Sequence, residues 1–231
     1  MPRFSSCLLL VLLAAIAPAF AQKIIEKNVP VATGQRIFLD LKQASSIRIR
    51  AGASGQLTLK ATVSINHNRL NDALVVAVKP EATELSVVAD FDREMLRRAA
   101  PGDCTDDTAG RNMWYGQQVC DDIAYEITLP AAVALRVRTY GGNIDIAGLT
   151  GPIEAKSLGG FVDVAWPPGA GAEVALKTVT GEVYTDQDIA FSTTRPAHAV
   201  VGYQLRGTLH GSGPLVKLES ISNDVYFRRR Q

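Results

Sequence analysis

The chain has 231 residues, with 24 Lys and Arg against 23 Asp and Glu, 47% hydrophobic residues and three cysteines. That length is enough for one domain with a continuous core. So even a charge balance leaves no excess of cations to displace counterions, which argues against nucleic acid as a partner.

The first 21 residues read as a secretory signal peptide. Arg3 is the positive start, residues 8–17 are an unbroken apolar run, and Ala19-Phe20-Ala21 is a small-x-small cleavage site. The run falls short of the roughly 20 residues that span a bilayer. No second apolar stretch follows it, so no transmembrane segment is expected in the mature chain. Cys7 lies at the start of the apolar core and not at the cleavage junction, which speaks against a lipid anchor. The expected product, residues 22–231, is a single exported domain of the periplasm, cell envelope or extracellular space. Losing Arg3 leaves 23 residues of each sign.

Strand periodicity begins at once. Apolar residues alternate with polar ones through residues 23–66, as in Ile37-Phe38-Leu39-Asp40-Leu41, Ile47-Arg48-Ile49 and Leu57-Thr58-Leu59-Lys60-Ala61. Further strands fit 74–78 and 85–89, with breaks at Gly34, Gly52, Gly55 and Pro80. Residues 92–121 differ. A short helix is predicted over 92–100, ended by Pro101-Gly102, and a polar loop follows between Cys104 and Cys120. In an oxidising compartment these two cysteines are expected to pair and to staple an insertion onto the domain. Trp114 and Tyr115 in this loop read as packing residues over an open end of the fold, or as a contact tip. The strand at 123–129 resumes the pattern.

One twelve-residue pattern then recurs. Residues 135–146 (LRVRTYGGNIDI), 153–164 (IEAKSLGGFVDV), 174–185 (VALKTVTGEVYT) and 216–227 (VKLESISNDVYF) align without gaps, their starts offset by 18, 21 and 42 residues. Each is a short strand, a hydroxyl residue (Thr139, Ser157, Thr178, Ser220), a turn and a second strand. A period near 20 marks a chain that coils and stacks on itself. The fold class is therefore all-β, a single-stranded β-helix or β-solenoid with a less regular β-rich N-terminal half. The turn positions Gly142, Gly160, Gly181 and Asn223 are residue types that tolerate positive φ. Period two predicts the columns Leu135/Ile153/Val174/Val216, Val137/Ala155/Leu176/Leu218 and Ile144/Val162/Val183/Val225. Gly202 falls 21 residues after Gly181 and 21 before Asn223, which predicts a degenerate coil there, bulged around Tyr203 and Leu205.

At the segments TYGGNIDI, SLGGFVDV, TVTGEVYT and SISNDVYF the chain resembles the "putative adhesin" domain family of bacterial envelope proteins. The likeness covers residues 123–228; the N-terminal half matches only in style, and the insertion at 92–121 departs from the pattern. The resemblance implies a β-solenoid and a noncatalytic binding or structural module of the cell envelope, and it carries over no catalytic residues.

Two outward ladders are candidates for chemistry. Arg138, Lys156 and Lys177, flanked by Arg136 and Glu154, form a basic ladder that reads as a track for an anionic glycan or lipopolysaccharide phosphate, or as a solvated face. Asp145 and Asp163 stack about 4.8 Å apart, followed by Tyr184 and Tyr226. Such a pair suits Ca²⁺ or acid–base work on a polysaccharide, and equally suits a plain surface, since repulsion in water is only about 0.8 kcal/mol. The acidic insertion (Asp103, Asp106, Asp107, Asp121, Asp122) lacks the glycine and terminal glutamate of an EF-hand loop. His67, His198 and His210 share no ligand spacing, and no GxSxG, HExxH, phosphate-loop or dinucleotide motif occurs. We expect no metal and no cofactor. The partner is expected to be a glycan, another envelope component or an envelope protein. A groove over Asp145 and Asp163 would favour an enzyme; an apolar patch at Tyr184, Tyr226 and Phe227 would favour a protein partner and a role in assembly or sensing.

Overall fold

A computed structural model of the chain describes residues 21–98, Cys104, 111–192 and 202–230. The expected leader therefore lies, but for Ala21, outside the described residues. Alternating segments become strands because period two gives each a buried row and a wet row. In chain order these are β1 (Lys23–Pro30), β2 (Arg36–Leu41), β3 (Ser46–Gly52), β4 (Gln56–Ile65), β5 (Leu74–Pro80) and β6 (Glu84–Phe91). A one-turn helix α1 (Arg93–Leu96) precedes β7 (Arg111–Trp114), β8 (Gln117–Pro130), β9 (Leu135–Thr139), β10 (Asn143–Ala147), β11 (Ile153–Ser157) and β12 (Val162–Trp166). Then come β13 (Ala172–Thr178), β14 (Val183–Thr185), β15 (Ile189–Phe191), β16 (Tyr203–Leu209), β17 (Leu215–Ser220) and β18 (Val225–Arg229).

The fold is all-β and built from two mixed nine-stranded sheets. Sheet A runs β1-β4-β8-β3-β10-β12-β18-β14, with β7 added to β8, and sheet B runs β15-β16-β13-β17-β11-β9-β2-β6-β5. Inward rows of both sheets meet in one apolar cluster, from Ile37 and Leu59 to Val225 and Phe227.

Each twelve-residue repeat gives its first strand to sheet B and its second to sheet A, parallel to its neighbours and in register. Leu135, Ile153, Val216 and Val174 share one column, and Ile144, Val162, Val225 and Val183 share another. Column membership is as predicted, but the order is not. The fourth repeat, β17 and β18, lies between the second and the third. The cause is β16, which turns back antiparallel along β13 and takes the place a further repeat would need. The coil expected at Gly202 is therefore absent from the described residues. Gly202 is a left-handed residue (φ 58°) leading into β16, where Gln204 faces Lys177 and Leu205 faces Leu176; Val200 lies outside the described residues.

The N-terminal half holds a fifth member of the stack. Ile37 and Leu39 of β2 pair with Leu135 and Val137, and Ile47 and Ile49 of β3 pair with Ile144 and Ile146. Beyond them, β8 joins β3 in parallel and β4 and β1 follow antiparallel in sheet A, while β6 joins β2 in parallel and β5 follows antiparallel in sheet B. In the insertion, the helix is shorter than the predicted 92–100. The Asp92 side chain accepts the Glu94 and Met95 N–H groups as its N-cap. The β7–β8 hairpin turns through Tyr115 (φ 51°) and Gly116 (φ 80°), the two left-handed residues of a type I′ turn. Cys104 and Cys120 form a disulfide with Cα atoms 5.6 Å apart. Asp103, Asp106 and Asp107 lie outside the described residues.

Candidate functional site

The turns between paired strands are structural. Ser157 Oγ donates to the Gly142 carbonyl (2.8 Å) and accepts the Gly160 N–H (2.9 Å). Ser220 does the same between Gly160 and Asn223, and Thr178 between Asn223 and Gly181. Each hydroxyl thus fastens its own turn to the turn of the neighbouring repeat. Gly142, Gly160, Gly181 and Asn223 do not have the positive φ expected of them. The glycines answer to close approach instead: a β-carbon on Gly160 would overlap the Gly142 carbonyl and lie 2.7 Å from Asn143 N, and one on Gly142 would lie 2.6 Å from the Ala44 carbonyl. Asn223 keeps a side chain in this row, its Oδ1 accepting the Asp224 N–H.

The outward face of sheet B carries the basic ladder. The observed column is Asp40, Arg138, Lys156, Glu219, Lys177. Arg138 makes a two-pronged pair with Asp40 (2.9 and 2.7 Å). Lys156 and Lys177 share Glu219 at 3.2 and 3.3 Å. Burial pushes the Glu219 carboxyl up, but the bonds from Lys156 and Lys177 outweigh it and hold the group below its usual range. In the adjacent column Glu154 accepts Lys217 (2.7 Å), and Arg136 lies over the Phe38 ring. The three cations the sequence singled out are brought together, and each already has an acid. Asp40 and Glu219 were missed because one sits in the unrecognised first repeat and the other in the repeat whose place in the stack is not its place in the chain.

The outward face of sheet A carries the carboxylates. Its middle column reads Arg48, Asp145, Asp163, Tyr226, Tyr184, so the fourth repeat's tyrosine precedes the third's. Asp145 and Asp163 are direct partners, and the next column supplies an arginine to each. Arg50 clamps Asp145 with two bonds (3.0 and 2.7 Å). Arg228 binds Asp163 through Nε (3.0 Å) and also through Nη2, a bond that pushes the guanidinium pKa up. The floor between the two arginines is Ala147 and Ala165. A shallow hollow of about 250 Å³ borders it, lined by Ala165, Asp186, Arg228 and Arg229; neither Asp145 nor Asp163 lines it. Tyr184 stacks on Tyr226 (5.1 Å between centroids, 14° between planes), and Phe161 meets Tyr226 edge-on. Tyr184 is 49% exposed, whereas Phe227 is fully buried beside Trp166 and belongs to the core.

Two carboxylates each held by an arginine fork have both oxygens engaged in charge-assisted bonds, which suits them to fixing charge on a flat face. Replacing both, Asp145→Asn with Asp163→Asn, is expected to leave the fold intact and to lower stability by no more than about 1–2 kcal/mol. Thermal melting checks this, and a non-cooperative melt would contradict it.

The insertion packs onto the body through aromatic and acidic groups. Trp114 stacks on Tyr140 (6.0 Å), meets Phe91 edge-on, and donates from Nε1 to Asp121 (3.0 Å), which also accepts Asn112 (2.9 Å). Tyr115 donates to Asp90 (2.6 Å) beneath the Arg93 guanidinium. Trp114 therefore acts in packing, while Tyr115 is held by Asp90 and Arg93 and stays 40% exposed. Burial alone would raise the Asp90 carboxyl, but hydrogen bonds from Lys42, Tyr115, Gln43 and the Phe91 N–H bring it from 3.8 to about 2. Burial raises Asp121, and the bonds from Asn112 and Trp114 only partly oppose it.

These shifts have opposite signs in linkage. Asp121 binds its proton more tightly when folded, so stability should rise as pH falls from its raised pKa towards 3.8. Asp90 binds its proton less tightly when folded, so its contribution is complete above 3.8 and lost as pH falls towards 2. The melting midpoint should rise modestly towards pH 4 and then drop, the drop amounting to about 1–2 kcal/mol for a partly exposed group. Glu219, also held below its usual range, adds to the acid limb, so Asp90→Asn should shrink that limb without removing it, and an unchanged limb would assign it elsewhere.

Among the described residues no cluster of three or more His, Cys, Asp and Glu is arranged to hold a metal ion, and no helix is long and apolar enough to cross a membrane. No family model matches the chain, and no curated protein matches it by sequence. Solved structures do. A putative cell adhesion protein from Clostridium sporogenes superposes with a TM-score of 0.51 at 10% identity, over 90% of this chain and 100% of the other. A putative adhesin from Bacteroides fragilis aligns over 90% of this chain and 97% of its own at 13% identity, with a TM-score of 0.30. At these identities the first likeness bears on the fold alone.

Proposed function

We propose that the chain is an exported, noncatalytic binding module of adhesin type, one domain over residues 22–231 whose stacked repeats form a β-solenoid core. One observation carries the noncatalytic reading: the stacked carboxylates Asp145 and Asp163 are each closed by an arginine, Arg50 and Arg228. The basic ladder Arg138, Lys156 and Lys177 is likewise met by Asp40 and Glu219, three cations against two acids, so most of its charge is spent within the sheet and little is left for an anion track. Binding then falls to the aromatic end of sheet A, where Tyr184 is half exposed. A partner protein of the envelope suits that surface better than an extended anionic glycan does.

The test is an array of glycans, envelope components and envelope proteins probed with the purified protein, with products analysed by mass spectrometry. Retention of a partner without cleavage is the expected result. Cleavage products that vanish in the Asp145→Asn/Asp163→Asn protein would overturn it.

A further inference from the structure

We propose that the free edge of β14 receives an extended, basic segment of a partner protein as an added strand, a proposal that rests on the binding-module reading and names the partner's chemistry. The two sheets end differently at this side of the molecule. Among the described residues sheet B continues past β13 through β16 and β15, whereas sheet A stops at β14. Among the described residues, β14 has a strand partner on one side only, β18. The Glu182 carbonyl is bonded to the Val225 N–H on that side. Backbone groups alternate along a strand, so the N–H and C=O of Val183 and Thr185 are the ones turned to the open edge.

The side chains state what would fit. The outward row of this edge is Glu182, Tyr184 and Asp186, acid, aromatic, acid, and all three are exposed. Glu182 and Asp186 flank β14; Asp186 accepts the Arg229 N–H (2.6 Å) and shares a hollow with Arg228 and Arg229, of which Arg228 is committed to Asp163. Stacking on Tyr226 covers one face of the Tyr184 ring and leaves the other towards the edge. The inward row offers the half-buried Val183. An added strand pairs its side chains directly with these. Its outward row should therefore be cation, planar group, cation, with Tyr or Arg stacking on Tyr184, and its inward row apolar.

Charge disfavours a second copy of this chain in the register that matches the two edges. Antiparallel pairing of β14 with itself would set Glu182 against Asp186 of the other copy, like charges directly opposite. The opposite edge of sheet A, β1, presents Ile24, Glu26 and Asn28 outward, with an acid where a planar group is wanted.

The experiment uses two labelled peptides, acetyl-Thr-Lys-Val-Tyr-Val-Lys-Thr-amide and its counterpart with both Lys replaced by Glu, titrated by fluorescence anisotropy against the protein. The Lys peptide should bind at least tenfold more tightly than the Glu peptide and slow hydrogen exchange at Val183 and Thr185. N-methylation of alternate peptide residues should abolish binding. The surface double variant Glu182→Lys/Asp186→Lys should reverse the preference. Equal binding of both peptides, or a preference unchanged in the variant, overturns strand addition. If neither peptide binds while the protein retains a partner on the array, strand addition fails and the binding-module reading stands. If neither peptide binds and the array is also blank, both fail.

Discussion

Deleting residues 214–231 should abolish cooperative folding, although these are the last residues of the chain. Were the fourth repeat the end of the stack, its loss would shorten the stack and leave the rest to melt as before. It sits instead between β11 and β13 in sheet B and between β12 and β14 in sheet A. Its removal takes Val216, Leu218, Val225 and Phe227, all fully buried, out of the middle of the core. At about 1.5–3 kcal/mol each, these four side chains contribute roughly 6–12 kcal/mol, comparable to the roughly 5–15 kcal/mol that holds a whole domain together. The same deletion strips Glu219 from Lys156 and Lys177, and Arg228 from Asp163. Circular dichroism melting and amide dispersion in NMR read the outcome. A truncated protein that still melts in one sharp transition would return the fourth repeat to the end of the stack.

What was legible in the sequence and what was not divides along a physical line. Alternation is local, so the strands, the inward columns and the hydroxyl row of Ser157, Thr178 and Ser220 could be read directly. The order of repeats is decided by β16 turning back onto β13, a long-range event with no local signature. The first repeat escaped notice for a smaller reason. Leu41 stands where the others have a hydroxyl, and six positions separate it from Ile47, against five from Thr139 to Ile144. That single extra residue breaks a gap-free alignment, although the alternation on both sides of it was visible. Its loss from view hid Asp40 and Arg50, the partners of Arg138 and Asp145. A ladder of exposed like charges on one repeat type therefore says little about function until the intervening repeats are known. Phe227 taught the same lesson: beside Tyr226 it could belong to an exposed patch, yet period two places it inward, and it is buried.

Gly160→Val should cost about 3 kcal/mol or more, and the reason differs from the one its sequence context suggests. A positive φ would make the penalty a backbone matter of roughly 1–2 kcal/mol, relieved by asparagine. Gly160 has no such φ. It lies where two turns pass so closely that a β-carbon would overlap the Gly142 carbonyl and stand 2.7 Å from Asn143 N. Neither neighbour can yield cheaply. The Gly142 carbonyl accepts Ser157 Oγ (2.8 Å), Ser157 Oγ in turn accepts the Gly160 N–H, and Asn143 Oδ1 holds the Phe161 N–H (3.1 Å). Parting the turns to admit a side chain would break this buried chain of bonds, each broken group costing about 1–3 kcal/mol when left unpaired, beyond the overpacking itself. Gly160→Asn separates the two explanations. If conformation ruled, asparagine would restore most of the stability lost to valine. If close approach rules, as the geometry requires, asparagine and alanine should both be damaging, because each carries the same β-carbon. Urea unfolding of the Val, Ala and Asn variants decides it, and near-native stability for Gly160→Asn would mean that the turns part more easily than their hydrogen bonds imply.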